Sequence, residues 1–434
     1  MKMKSFLLFV FIFGMPFCAF SAERILWEKE FPSRINAMGI SGDGTKILVS
    51  IEPQFNSIKD DMYYSGTKNT YFGSKLIAMD SHRNVLWEFE YKNSTGVYVI
   101  SNAVISKNGA YVACTVSEIV QESRMVGSVE EKSMKIFDER YVRKVLFFTE
   151  KGDLLWSLDL MGNPAISPDG KHIFISPVLA ESGDPKDDYY LLNSKGDILW
   201  KINRKDVKSQ AWMSKDGRYI IKDSDLYAID KSVVMSVAGI ISEVNGNYLS
   251  SIDSSIFDSP KLHSREWVFR VYEIGKKRIL VEKTSKKKKT YFKGETFISP
   301  IDETRYRLGK HYLTSFEANK NIDKRGVNEK ILILNKNESI LTKIDNNDFR
   351  YEINGNYLLT LEDKNVVVLK YPVKSKSVGS VIEMYDISGE EIWSVNLAGL
   401  CSVFQSSDNG SSIITYETAF NQNRSKLFYI NGAY

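Results

Sequence analysis

Histidines, cysteines and acidic clusters are the residues of this chain able to cut, transfer or ligate, and their spacing suits none of those reactions. His82, His172, His263 and His311 are scattered, with no HExxH pair to hold zinc and no GxSxG elbow to present a serine. Cys18, Cys114 and Cys401 include no CxxC pair and lack the His and acidic company of a metal site. Asp60-Asp61 beside Tyr63-Tyr64, and Asp184 with Asp187-Asp188, offer oxygen ligands but not the DxDxDG spacing of a calcium loop, so they read as solvated acids. The concentrated charge is Lys286, Lys287, Lys288 and Lys289, with Lys283 and Lys293 alongside. Such a run either contacts an acidic partner or lipid head groups, or is a solvated loop. No catalytic residue, cofactor or metal is assigned from the sequence.

The elements that must carry these residues repeat. Lys195-Gly196-Asp197-Ile198-Leu199-Trp200 follows the apolar run Tyr189-Tyr190-Leu191-Leu192, and Lys151-Gly152-Asp153-Leu154-Leu155-Trp156 follows Leu146-Phe147-Phe148. The phrase returns around Val85-Leu86-Trp87 and Glu391-Ile392-Trp393, and the chain after residue 23 begins with its last part, Ile25-Leu26-Trp27. An apolar strand before a Ser-Pro-Asp-Gly type of turn, and a second strand after it, complete each unit. In the fourth strand Leu154, Trp156 and Leu158 share one face and Leu155 the other, which predicts packing from both sides.

The first turn of the unit occurs eight times, at residues 41–44, 106–109, 167–170, 214–217, 245–247, 309–311, 354–356 and 407–410. Later copies are degenerate, yet residues 304–314 match 349–359 at a constant offset of 45. Four-stranded units in this number predict an all-β fold, a single β-propeller, a class with about 4 to 8 blades. Eight blades is the count, or seven if one degenerate unit is incomplete. Residues 426–430 form a third strand and 24–28 an orphan fourth, so their pairing would finish the last blade and close the ring.

The small strand, the Asp or Asn with Gly, and the aliphatic–Trp pair resemble the repeat of quinoprotein (PQQ-type) β-propellers. The Ser-Pro-Asp-Gly turns resemble the WD40-like repeats of periplasmic propellers. The resemblance spans most of residues 23–434, is strongest at 27–200 and 381–410, and concerns the fold, since the matched residues are structural. It implies that Trp27, Trp87, Trp156, Trp200 and Trp393 are packing residues. The adjacent cysteines expected of quinone-binding members are absent, so no cofactor is carried over.

Residues 1–21 read as a cleaved secretory signal: Lys2 and Lys4, an apolar run at 6–13, breakers Gly14 and Pro16, then Ala19-Phe20-Ser21. Phe17 before Cys18 is the wrong residue for lipidation. The expected location is therefore secreted or periplasmic, with 22–434 as one propeller domain. Removing Lys2 and Lys4 lowers the net charge from +4 to +2, which gives no electrostatic case for nucleic acid. Cys114 and Cys401 sit in apolar runs and are expected to be buried free thiols.

Long polar stretches at 52–74, 117–140, 180–188, 253–265, 318–328 and 371–377 separate second from third strands. That connection lies at the same end of a blade as the crossover to the next, so these loops and Lys286–Lys289 should share one face. One-sided elaboration of a repeat marks a working surface. The expected function is a non-catalytic platform for a protein partner, an acidic one where the lysine run is the contact. A channel-sited enzyme or small-ligand binder, and an envelope-assembly scaffold, are the alternatives.

Overall fold

The computed structural model describes residues 24–52, 74–91, 97–126, 133–160, 162–177, 188–253, 264–288, 305–308, 313–319, 328–334, 340–345, 351–352, 357–359, 364–372, 379–419 and 424–433. Among them every regular element is a β-strand apart from one short 3-10 turn, Arg204–Asp206. The strands form antiparallel sheets in which consecutive strands are neighbours.

Sheet 1 contains Ile35–Ile40, Lys46–Ile51, Lys75–Asp80 and Val85–Glu90. Sheet 2 contains Val97–Ile105, Tyr111–Val126, Ser133–Thr149 and Leu154–Leu158. Sheet 3 follows with Gly162–Ile166, His172–Pro177, Tyr189–Asn193 and Ile198–Ile202, and sheet 4 with Ala211–Met213, Tyr219–Lys222, Asp225–Ala228 and Val233–Ser236. Sheet 5 is Ile240–Asn245, Tyr248–Asp253, Ser264–Glu273 and Arg278–Lys288. Arg305–Leu308, Leu313–Asn319, Asn328–Leu334 and Ile340–Asp345 make sheet 6. In sheet 7 two short pieces, Tyr351–Glu352 and Tyr357–Leu359, share the first position beside Asn365–Pro372, Val381–Asp386 and Glu391–Asn396. Cys401–Ser406, Ser412–Ala419 and Arg424–Asn431 form sheet 8, whose fourth strand is Ile25–Phe31 from the other end of the chain. The repeated four-stranded antiparallel sheet is the unit from which β-propellers are built.

Apolar alternation in the middle strands explains how the sheets stack. Ile47 and Val49 pack with Ile414 and Leu427 of sheet 8, whereas Leu48 between them packs with Val112 and Phe148 of sheet 2. Ala113 and Phe147 face Ile173 and Leu192 of sheet 3, and Phe174 and Leu191 face Met213 and Ile220 of sheet 4. The pattern continues through Ile221 with Leu249, Val271 with Leu332, Ile333 with Val366, and Val367 with Ile413. Each fully buried aliphatic side chain stabilises by about 1.5–3 kcal/mol, so these seams hold the fold.

Two-sided packing is therefore a property of second and third strands. For the fourth strand the expectation is corrected: Leu154 and Leu155 are 47% and 46% exposed. The cause is a β-bulge in the same place in every sheet. Phe148 pairs with Leu154 and Phe147 with Trp156, which leaves Leu155 unmatched. Leu86, Leu199, Val234, Leu280, Leu341, Ile392 and Leu26 are skipped in the same way. The extra residue resets the alternation, so the residue after it can turn back toward the neighbouring sheet.

Candidate functional site

Connectivity gives the sheets two unlike ends. First–second and third–fourth hairpins turn at one end, and second–third connections and crossovers run at the other.

The turn end is closely tied. Ser41 Oγ donates to Asp43 Oδ1 at 2.6 Å and accepts the Lys46 N–H at 3.0 Å. The same clasp joins Ser106 to Asn108 and Tyr111, Ser167 to Asp169 and His172, Ser214 to Asp216 and Tyr219, and Ser407 to Asn409 and Ser412. Neighbouring turns are then linked backbone to backbone. Asp408 N–H donates to Gly42 O at 2.8 Å, Gly42 N–H to Lys107 O at 2.7 Å, and Asn108 N–H to Pro168 O at 3.0 Å. Lys107 and Asp408 add an ion pair at 2.7 Å. Burial alone would raise the Asp43 and Asp169 carboxyls, but hydrogen bonds from Ser41 and Thr45, and from Lys171 and Ser167, hold both below the usual range.

The bulges aim tryptophans at these turns. Trp27 Nε1 donates to Ser81 O at 2.8 Å, Trp87 to Glu150 O at 2.8 Å, and Trp156 to Ser194 O at 3.1 Å. Each bond crosses from one sheet to the next. Trp156 also stacks on Phe147 at 4.9 Å, and Trp200 meets Tyr227 edge-on at 5.2 Å. A Cβ at Gly152, where φ is +86°, would lie 2.8 Å from the Trp87 ring, so close approach and backbone together require glycine there. Trp393 is buried between sheets 7 and 8 with the Arg24 guanidinium 5.7 Å from its ring centroid. Each of the five repeat tryptophans lies in or against a buried apolar cluster.

The other end carries a long ribbon in sheet 2 and a long strand pair in sheet 5. In sheet 2 the pairing of second and third strands runs on from Ser117 with Val142 to Val126 with Ser133. Among the described residues the first strand has its last partner at Ile119, and the fourth at Val145. Residues 117–126 and 133–140, expected as loop, are therefore hairpin. Val120, Ile136, Phe137 and Tyr141 supply β-propensity. In sheet 5 the third and fourth strands pair from Glu273 with Arg278 to Ser264 with Lys288, and Asp253, the last described residue of the second strand, lies opposite Val268.

That strand pair contains Lys286, Lys287 and Lys288, in register with Glu266, Arg265 and Ser264. The expected crossover loop is corrected to strand through Lys288, because the β-branched and aromatic residues Thr284, Val268, Phe269 and Trp267 carry the ladder upward. Lys289 lies outside the described residues, as do residues 53–73, 178–187 and 254–263 of the long connections.

The remaining reactive residues stay apart. His82 lies in the third–fourth turn of sheet 1, with its N–H donating to Asp80 Oδ1 at 2.9 Å, and His172 begins the second strand of sheet 3. His263 and His311, with Asp60, Asp61, Asp184 and Asp187, are outside the described residues. Asp188 accepts the Arg204 N–H at 2.7 Å and pairs with Lys201 at 3.0 Å, a local tie. Cys114 and Cys401 are free and buried; burial pushes both thiols up, Cys401 to about 12 with Glu417 adding to the rise. Among the described residues no three His, Cys, Asp or Glu side chains gather as a metal site.

Sequence reasoning missed a set of carboxamides on or beside first strands. Asn36 Nδ2 donates to Ile100 O at 3.3 Å, Asn102 Nδ2 to Asn163 Oδ1 at 2.6 Å, Gln210 Nε2 to Ile241 O at 3.4 Å, and Gln405 Nε2 to Met38 O at 2.9 Å. Each joins neighbouring sheets. The signal available was a recurring Asn or Gln within five residues before the turn serine.

No family model matches the chain, and no curated protein matches it in sequence. Among solved structures it is similar to the Dos1 propeller at 10% identity, covering 93% of this chain and 94% of that one, with a TM-score of 0.36. It is also similar to a structure from a study of two prolyl endopeptidases, at 9% identity over 88% of this chain, TM-score 0.44. The acylaminoacyl peptidase of Pyrococcus horikoshii is similar at 10% identity over 73% of this chain, TM-score 0.36. The chain spans 54% and 42% of the length of those two peptidase chains.

Proposed function

We propose that this chain is a single eight-bladed β-propeller of the quinoprotein-like kind, closed by pairing of residues 25–31 with 424–431, and that it serves as a protein-binding platform. On this reading residues 1–21 direct export to the periplasm or the medium and are removed, leaving 22–434 as the propeller domain. The working surface is the end that carries the sheet 2 ribbon and the long strand pair of sheet 5. The observation that supports it is the unequal finish of the two ends. At the turn end, neighbouring hairpins satisfy one another's backbone groups, whereas at the other end the second and third strands of sheet 2 stay paired to Val126 with Ser133, past the fourth strand's last partner at Val145. Projecting strands with open edges are suited to holding another chain.

The test is capture from a cell-envelope extract, followed by amide hydrogen exchange of the captured complex. Protection at residues 117–142 or 264–288, with loss of capture when residues 119–140 are replaced by an Asn-Gly turn or Lys286–Lys289 are changed to Ser, is the expected outcome. Protection confined to the 41–44, 106–109 and 167–170 turns would reverse the assignment of the face.

A further inference from the structure

Two buried carboxylate oxygens lack a hydrogen-bond partner among the described residues, Asp408 Oδ1 and Glu417 Oε2. Asp408 has the Lys107 ammonium at 2.7 Å, whereas no described cation comes within ion-pair distance of Glu417. The Glu417 carboxyl lies over the crossover from sheet 7: a Cβ on Gly399 would collide with its Oε2, so glycine is what leaves room for it. Glu417 belongs to sheet 8, whose fourth strand, Ile25–Phe31, comes from the other end of the chain.

The register sets this carboxyl in a row of charge. Glu417 stands opposite Lys426 of the third strand, and Lys426 opposite Glu30 of the fourth. Residues directly opposite share a face, and Glu28, two residues before Glu30, shares it too. Lys426 Nζ donates to Glu28 Oε1 at 3.2 Å and stands 3.7 Å from Glu30 Oε1. Three carboxylates thus share one ammonium. Cys401, opposite Glu417 on the first strand, and Tyr371 of sheet 7 in the same cluster are both pushed up to about 12 by burial, so neither carries charge near neutral pH. Tyr416 and Lys29 lie on the opposite face. Burial raises the Glu417 carboxyl above its ordinary value; Lys426 offsets part of the rise, and Glu28 and Glu30 add to it. The fourth strand is the element able to yield, since among the described residues it pairs with Arg424–Asn431 alone. Trp27 ties it to Ser81 O, and the Ile35 N–H ties the chain beyond it to Ser425 Oγ at 3.0 Å, so Glu28 and Glu30 lie between two fixed points.

We propose that Glu417 is a proton-operated catch on residues 28–31. Ionised, it repels Glu28 and Glu30 and loosens their strand from Arg424–Asn431; protonated, it leaves Lys426 free to hold them. The sign follows from linkage. A carboxyl whose value is raised in the paired state keeps its proton there to a higher pH than in the opened state. Pairing is therefore favoured at low pH and weakens as the pH rises from the ordinary value of 4.5 through the raised one. Asp169 in its turn clasp has the opposite sign, which separates the two effects. The catch needs only this strand pairing and no partner protein.

The test is amide hydrogen exchange of the full chain, read on peptides that cover residues 25–34, at about pH 7.5 and about pH 4.5. Glu417→Gln keeps the shape of the side chain and removes its charge. At about pH 7.5 the variant should exchange residues 28–31 at least about threefold more slowly than the parent, and at about pH 4.5 the two should coincide. Leu154–Leu158 of sheet 2, far from the row, serves as the reference and should respond at neither pH. Lys426→Gln supplies a second reading of opposite sign. It leaves the three carboxylates without their ammonium, so residues 28–31 should exchange at least about threefold faster than in the parent at about pH 7.5 and approach it at about pH 4.5. A gain from Glu417→Gln that is equal at both pH values would make Glu417 a packing residue and overturn the catch. No gain at about pH 7.5, no pH-dependent loss in Lys426→Gln, or an equal response at Leu154–Leu158 would overturn it as well.

Discussion

Sheets 7, 8, 1, 2 and 3 carry tryptophan just after the fourth-strand bulge, whereas sheets 4, 5 and 6 carry Met235, Val281 and Thr342 there. The bulge is present in both groups, so it belongs to the backbone plan and does not depend on the tryptophan. Trp27, Trp87 and Trp156 add a cross-sheet lock, an indole N–H to the neighbouring turn's carbonyl, and Trp87 and Trp156 also lay a ring against that turn's glycine, whereas the buried Trp393 Nε1 has no hydrogen-bond partner among the described residues. The stretch without tryptophan is also where the first turn degenerates to Asn245-Gly246-Asn247.

The largest effect that would test this comparison is Trp156→Ala. Loss of the Phe147 stack, the Ser194 bond and the seam should cost about 3 kcal/mol in a denaturant titration. Thr342→Ala, at the same position of sheet 6, should cost well under about 1 kcal/mol. Equal costs would break the distinction between locked and unlocked sheets. A step down in size is Gly196→Val. Gly196 has φ +88°, and its Cβ would sit 3.2 Å from the Trp156 ring, so about 2 kcal/mol is expected from strain and contact together. In the Trp156→Ala background the contact part should vanish and the backbone part remain, so the two substitutions should be non-additive in a double-mutant cycle.

The repeat itself was legible because its chemistry is local. Lys151-Gly152-Asp153 and Lys195-Gly196-Asp197 announce turns, and the Trp positions follow at fixed spacing. The bulge was not legible, because strict alternation through Leu154, Leu155 and Trp156 assigns Leu155 a buried face that one extra backbone residue removes. The sheet 2 ribbon read as loop because Glu118, Gln121, Glu122, Asp138 and Glu139 interrupt every apolar stripe. A strand pair that rises clear of its sheet has no stripe to keep. The carboxamide bridges were invisible for another reason: Asn36 and its acceptor Ile100 are 64 residues apart, and neither position is unusual alone. At the candidate site, Lys286–Lys288 were found by composition, but their place on a strand required the register.

The Ser clasp should give a smaller and pH-dependent effect. Ser167→Ala removes the donor to Asp169 and the acceptor of the His172 N–H, at a cost of about 1–2 kcal/mol. Asp169 is lower in the folded than in the unfolded chain, so its contribution is fully present above the ordinary carboxylate value near 3.8 and is lost as the pH falls through the lower folded value. Without Ser167 that folded value rises toward the ordinary one. The acid-unfolding midpoint of the variant should therefore move to higher pH, and an unchanged midpoint would show that the Lys171 N–H alone holds the carboxylate.

The smallest expected effect is a gain, and it asks whether the turn that receives a tryptophan must be glycine. Gly152, Gly196 and Gly389 occupy the left-handed position of the third–fourth turn, but sheet 1 places Arg83 there at φ 73° and sheet 4 places Lys231 at φ 73°. Trp27 still donates to Ser81 O in the Arg83 turn, so the lock forms on a backbone that a side chain makes costly. Arg83→Gly relieves about 1–2 kcal/mol of left-handed strain and gives part of it back through the greater freedom of glycine in the unfolded chain. A net gain of about 0.5 kcal/mol should appear in sheet 1, with the Trp27 environment unchanged by fluorescence. A loss instead would mean that Arg83 makes a stabilising contact of its own, and that the turn beneath Trp27 is held by that side chain as well as by its backbone.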